Sequence, residues 1–309
     1  MPDAGGAISG YDALRSGVAV VDPRREVVRA SGPDTSTFLQ GQLSQDIASL
    51  GPGASAWSWL LQPAGKVEAL VRVTHVEGDV WLIDTDQGWG ERVTARLTRF
   101  KLRTKVDLET MAGWVVVGLR GPGTTAVDYP RSGSGVVAAV DASWPGLPGV
   151  DLIGPAPVAP SGVATVGDGD WEAARIESGI PVMGAELTDR TIPAETGLID
   201  MTVSFTKGCY TGQELVARID SRGSKVARLL RGVRLDAPAE VGAAMQGPDG
   251  SQAGVLTSVG RSPASGWVAL AYARRGVGPG MQVVIDSGGP GSVQGVVEEL
   301  PFVGGMPRR

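Results

Sequence analysis

Cysteine and histidine are almost missing: Cys209 and His75 are the only examples in 309 residues. One cysteine excludes an intrachain disulfide and fits a reducing compartment. One histidine leaves too few soft ligands for a His/Cys metal site within the chain. No apolar run reaches the roughly eighteen residues of a membrane span. Charge of either sign is not in large excess; a net charge of −5 argues against a general nucleic-acid coat protein. The glycine motifs that cradle phosphates in nucleotide enzymes are absent too. Met1 to Gly10 carries neither a basic n-region nor an apolar h-region, so the cytoplasm is the expected location. Lysine is scarce, with Lys66, Lys101, Lys105, Lys207 and Lys225 the only ones.

A composition of 42% hydrophobic and 20% charged residues is that of a soluble globular chain, long enough for two or three domains. Short strands are expected at Val18 to Val21 and Glu26 to Arg29. Pro33 then opens a helix in which Phe38, Leu39, Leu43 and Ile47 recur at helical spacing, with Gly41 expected to bend or divide it. Ala56 to Leu61, Lys66 to Val76 and Val80 to Asp84 read as strands joined by hairpin-like turns. Gly90 to Phe100 reads as a helix with Val93, Leu97 and Phe100 on one side and Arg92, Arg96 and Arg99 on another. Lys101 to Leu108 and Trp114 to Leu119 read as further strands. Several strands around two helices suggest an antiparallel, ferredoxin-like α+β unit. Asp170 is placed to cap a helix from Trp171 to Ser178, which Gly179 and Pro181 end. From Ala227 onward short strands alternate with turns, the pattern of a small β-barrel or sandwich.

The most unusual stretch is Ser204 to Glu214. Thr211-Gly-Gln-Glu214 has the form of a capping box, and Leu215, Val216 and Ile219 supply an apolar stripe behind it. A helix from Gly212 to about Ile219 is predicted. Cys209 then precedes its first turn, where unpaired N–H groups and the nearby Lys207 favour thiolate over thiol. Two readings stay open here: a reactive sulfur, or a small buried hydrophobe.

Lys207-Gly-Cys-Tyr-Thr-Gly-Gln-Glu214, followed by Leu-Val-Ala-Arg218, resembles the signature of the YgfZ folate-binding proteins. These belong to the superfamily of the glycine-cleavage T-protein, an aminomethyltransferase. Phe38-Leu-Gln-Gly-Gln-Leu-Ser-Gln-Asp46, Arg175-Ile-Glu177-Ser-Gly179-Ile-Pro181 and Arg222-Gly223 match as well. The resemblance implies an α+β fold of three domains in a ring around a central funnel, with ferredoxin-like α+β domains and a C-terminal β-barrel. The corresponding division is residues 1–50 with 160–228, residues 51–159, and residues 229–309. It implies tetrahydrofolate as the ligand of the funnel and a role in maintaining or assembling iron–sulfur proteins, with a link to tRNA modification. The expected partners are folate and iron–sulfur client proteins or assembly factors; a monomer is expected, with neither a stable nucleic-acid complex nor a membrane.

The resemblance also assigns roles residue by residue. Cys209 is the functional thiol of the signature, with Lys207 beside it. Trp171 corresponds to a tryptophan implicated in folate binding, and its indole face suits a pterin or aminobenzoyl ring; without the resemblance it reads as core. Glu177 corresponds to a glutamate that takes the pterin N–H groups in T-proteins. Six residues at about 100° each, however, put Trp171 and Glu177 about 120° apart around one helix. T-proteins carry an acidic pair after a Gly-Gly turn; here Ala64-Gly65-Lys66-Val67-Glu68-Ala69 offers only Glu68, so aminomethyl transfer is the weaker reading. A second folate-site tryptophan is missing, and Arg25 falls near its position. Arg218 and Arg222, which follow Cys209, could hold the glutamyl tail of folate; most of the wider basic clusters are read as solvated faces. A folate-dependent one-carbon transferase remains the second functional reading.

Overall fold

The computed structural model describes residues 10–221, 223, 225–286 and 291–301. Helix α1 (Gly10–Ser16) leads into strands β1 (Ala19–Val21) and β2 (Arg25–Ser31), then α2 (Thr35–Gln42). Strands β3 (Ser55–Leu61), β4 (Val67–Glu77) and β5 (Val80–Asp86) precede α3 (Gly90–Phe100). β6 (Asp107–Thr110), β7 (Val115–Arg120), β8 (Ala138–Asp141), β9 (Gly149–Gly154) and β10 (Ala164–Thr165) lead to α4 (Asp168–Ser178). The short α5 (Ile199–Thr202) and α6 (Gln213–Ser221) follow. The chain then runs through β11 (Arg228–Leu235), β12 (Ala244–Gln246), β13 (Gln252–Ser262), β14 (Gly266–Arg274), β15 (Gln282–Ile285) and β16 (Val293–Glu298). No helix among the described residues is long and apolar enough to cross a membrane.

The strands form two five-stranded sheets and a closed barrel. In the order β3-β4-β5-β2-β6 every pair is antiparallel. Setting aside the edge strand β3, the succession β2-α2-β4-β5-α3-β6 is a βαββαβ unit, the ferredoxin-like arrangement expected from the sequence. Strand β2 lies before residue 50, yet it pairs with β5 and β6 beyond it. The second sheet, β10-β1-β7-β9-β8, is antiparallel except for β1 and β10. The barrel closes through β11 and β16, so it has no edge to protect.

Side-chain alternation explains how the layers stack. One face of the first sheet buries Val28, Leu60, Val71 and Ile83 against α2 and α3. Its other face, through Val27 and Leu82, packs on Val116, Val140 and Ile153 of the second sheet. β4 is therefore covered on both sides along most of its length. The barrel docks on α4: Ile176 joins Leu230, Val268 and Leu270 in one apolar cluster. A Cβ on Gly260 would come 3.0 Å from Ile176 Cδ1, so glycine there permits the close approach.

Several local expectations are corrected. α2 ends at Gln42, and Leu43 is already extended; Leu43 and Ile47 reach the core from the segment beyond the helix. The strand expected at Lys101 to Leu108 shortens to Asp107–Thr110. α4 starts three residues earlier than predicted, with Gly167 at its N-cap and Asp168 and Asp170 in its first turn. Arg96 is not on a solvated face: it is buried, donates to the Leu61 carbonyl at 2.9 Å, and lies over the Phe100 ring.

Candidate functional site

The face shared by the two sheets changes character toward one end. Val27, Leu82, Val116 and Ile153 give way, at alternate positions of the same strands, to Arg25, Asp84, Arg120 and Asp151. Arg72 of β4 stands among them, fully buried, with Nε 3.0 Å from Asp84 and Nη2 2.7 Å from Asp151. Arg25 donates to Asp84 and, at 3.0 Å, to Asp86; Arg120 pairs with Asp151 at 2.7 Å. Burial alone would raise the Asp151 carboxyl, but Arg120 and Arg72 outweigh it and hold it at about 2. Burial likewise raises Asp86, and there Arg25 and the Met183 N–H only partly oppose it.

Past this charged rim the layers separate and leave a cavity of about 910 Å³. That is within the range of about 300–1,000 Å³ of small-molecule sites. Every part of the fold contributes: Trp57 and Asp86 from the first sheet, Arg120 and Asp151 from the second, Trp171 and Arg175 from α4, and Ser258 from the barrel. Trp144, between β8 and β9, meets Trp57 edge to face at 5.5 Å. The guanidinium of Arg25 lies 4.9 Å from the Trp57 ring centre, and that of Arg120 lies 5.7 Å from the Trp171 ring centre. Arg175 ties the far wall together: it donates to Glu172, to the Ile180 carbonyl at 2.6 Å and to Ser258 Oγ at 2.7 Å. Indole faces, fixed cations and carboxylates thus converge on one space.

The predicted site residues divide. Trp171 lines the cavity. Glu177 does not: it is fully buried on the other side of α4, where Tyr11 Oη donates to it at 2.7 Å and Arg15 pairs with it. The turn angle between positions 171 and 177 is the reason. Glu68 accepts from Arg92 Nε at 2.6 Å and is not a lining residue. Arg218 is exposed on α6, outside the cavity lining, and Arg222 lies outside the described residues.

Cys209 is free and exposed, in the loop before α6, and is not a lining residue. That loop is fixed from both sides. Lys207 turns inward, its Nζ 2.6, 2.7 and 2.9 Å from the carbonyl oxygens of Gln40, Leu43 and Gln45. Its three protons therefore satisfy carbonyls at the end of α2. Burial pulls the Lys207 ammonium down to about 8, with Asp46 opposing. Gly212 has φ +82°, and a Cβ there would meet the Gln62 carbonyl oxygen at 2.6 Å, so the turn packs directly on the β3–β4 connection. Trp57 and Gln62 are five residues apart along β3, about 16 Å at strand rise. The Gly212 turn and the cavity-lining Trp57 thus stand toward opposite ends of one strand.

Trp57, Trp144, Asp86, Arg120 and Asp151 were not singled out from the sequence. A signal existed for some: Arg72, Asp84 and Asp151 are charges set inside otherwise apolar strand runs, where an unpaired charge is costly.

The fold defines the class. The structure aligns with the crystal structure of glycine cleavage system aminomethyltransferase T from Bartonella henselae at a TM-score of 0.80, covering 96% of this chain and 89% of that one at 20% identity. It is the T-protein fold with its closed C-terminal barrel. No family model matches the chain. Among relatives, a tRNA-modifying protein YgfZ from Klebsiella pneumoniae is 29% identical over 218 residues, 63% of this chain and 64% of the relative. A mitochondrial iron-sulfur cluster assembly factor IBA57 homolog from Chaetomium globosum is 28% identical over 247 residues, 70% of this chain and 55% of the relative. An uncharacterized protein from Haemophilus influenzae is 26% identical over 232 residues, 72% of this chain and 75% of the relative. In sequence the chain is similar to the YgfZ and IBA57 proteins, and in fold to the glycine-cleavage T-protein.

Proposed function

We propose that this chain binds tetrahydrofolate in the cavity and supports iron–sulfur proteins, acting in the cytoplasm through the exposed Cys209. The observation that carries the folate part is the cavity itself. It offers the half-buried Trp171 indole for a planar ring and arginines for an anionic tail, and its size suits a folate. A bound reduced folate supplies a carrier of one-carbon units; the residues of this chain orient it and shield it from water. The names of the Klebsiella and Chaetomium relatives support the iron–sulfur part and its link to tRNA modification. One thiolate cannot hold a whole cluster, since such sites commonly use four, so any cluster handled at Cys209 is cargo shared with a partner's ligands.

The transferase reading lacks support in the geometry. Glu68 and Glu177, its candidate acid or base, are engaged away from the cavity, the first by Arg92 and the second by Tyr11 and Arg15. Titration calorimetry with 5-formyltetrahydrofolate tests the folate reading. Trp171→Ala is expected to weaken binding at least tenfold, about 1.4 kcal/mol. Equal affinity in the wild type and the variant would remove Trp171 from the site.

A further inference from the structure

Glu177 cannot receive a ligand in the cavity, which raises the question of which carboxylate can. Four others reach its lining: Asp86, Asp151, Asp168 and Glu172. Asp151 has 1% of its side chain exposed and is shared between Arg72 and Arg120. Asp168 is 83% exposed and pairs with Arg24. Glu172 is forked by Arg175, at 2.8 and 2.5 Å, and its side chain is 41% exposed, so water takes its remaining lone pairs. Asp86 is different. Its Oδ1 accepts one bond from Arg25 Nη1 at 3.0 Å, and its Oδ2 accepts one from the Met183 N–H at 2.7 Å. Each carboxylate oxygen has room for a second donor, so a pair of acceptor sites remains. The side chain is 19% exposed and lines the cavity beside Leu70 and Met183.

Two acceptor oxygens held in one plane match two adjacent N–H donors, the edge formed by a ring N–H and a neighbouring exocyclic amino group. We propose that Asp86 is the specificity-determining residue of the cavity and reads a heterocycle with that donor–donor edge, such as the 2-amino-4-oxo ring of a pterin. Arg25 and the Met183 amide fix its orientation. Arg25 stands directly opposite Asp86 in the β2–β5 register, so the carboxylate is aimed by the sheet itself. Leu70 and Met183 beside it keep water from competing for the same lone pairs. The proposal rests on the cavity being the ligand site, and it extends the folate reading to the atoms that choose the ring.

The test is calorimetry with 5-formyltetrahydrofolate, 6-hydroxymethylpterin, its 2-desamino analogue and 4-aminobenzoylglutamate, which lacks the pterin. Leaving a donor edge without its acceptor is expected to weaken both pterin-bearing probes about thirtyfold in Asp86→Asn. Binding of 4-aminobenzoylglutamate stays unchanged in that variant, which also shows that the cavity is intact. In the wild type, 6-hydroxymethylpterin binds more tightly than its 2-desamino analogue by a similar factor, a comparison that needs no variant. Equal affinity of the two pterins for the wild type, or a variant that keeps its pterin affinity, overturns the role of Asp86. Wild type that takes up the pterin but not the folate, with Asp86→Asn losing the pterin, upholds Asp86 and sinks the folate reading. Wild type that takes up none of the four probes sinks both.

Discussion

Replacing Arg72 with methionine is expected to cost the fold about 3–5 kcal/mol, the range for removing one partner of a buried ion pair. Arg72 joins the two sheets. It rises from β4, and its guanidinium reaches Asp84 on the same sheet and Asp151 on the other, with a further bond to the Asp141 carbonyl at 3.2 Å. The site is dry, since Arg72 and Asp84 are fully buried and Asp151 is 1% exposed. The methionine variant leaves two carboxylates sharing Arg25 and Arg120 where three guanidinium groups had stood. Urea denaturation measures the loss; a change below about 1 kcal/mol would show that the network contributes little. Arg72→Lys keeps the charge but not the planar fork, so its loss is expected to fall between. A pH dependence follows from Asp151. Its folded pKa, about 2, lies below the ordinary 3.8, so its contribution is fully present above about pH 4 and disappears as pH falls through 2.

The second large effect is functional. Cys209→Ser is expected to bring the activity of iron–sulfur enzymes, in cells that depend on this chain, down to the level of cells without it. The same variant is expected to keep its stability within about 0.5 kcal/mol of wild type, as exposed substitutions usually do. The separation of these outcomes rests on how the loop is held. Lys207 docks on three carbonyls, the buried Tyr210 anchors the next turn, and Gly212 packs on Gln62; none of these contacts uses the sulfur. Full cellular activity of the serine variant would remove Cys209 from the function. A large fall in melting temperature would mean that the sulfur is structural.

What could be read beforehand depended on how local each feature was. The helix Gly90–Phe100 coincides with its predicted bounds, because its apolar stripe is complete within the segment. The barrel strands were legible because turns separate them at short intervals. α2 was overextended because a tertiary contact shapes its end: Lys207, more than 160 residues away, takes up its carbonyls. The same lysine was read as a charge for the thiol, and nothing local showed that it faces inward. The cavity was the least legible feature. Trp57, Asp86, Trp144 and Trp171 are far apart in sequence and meet only through the stacking of two sheets on one helix. Helical geometry alone did anticipate that Trp171 and Glu177 point to different places.

The most direct measurement is a crystal structure of the protein with 5-formyltetrahydrofolate. The pterin ring is predicted to lie in the cavity against Trp171, with its amino edge on Asp86 and Glu177 still paired to Tyr11 and Arg15. Ligand density elsewhere on the molecule, or a ring bound to Glu177 with the cavity empty, would contradict the assignment of this cavity as the folate site.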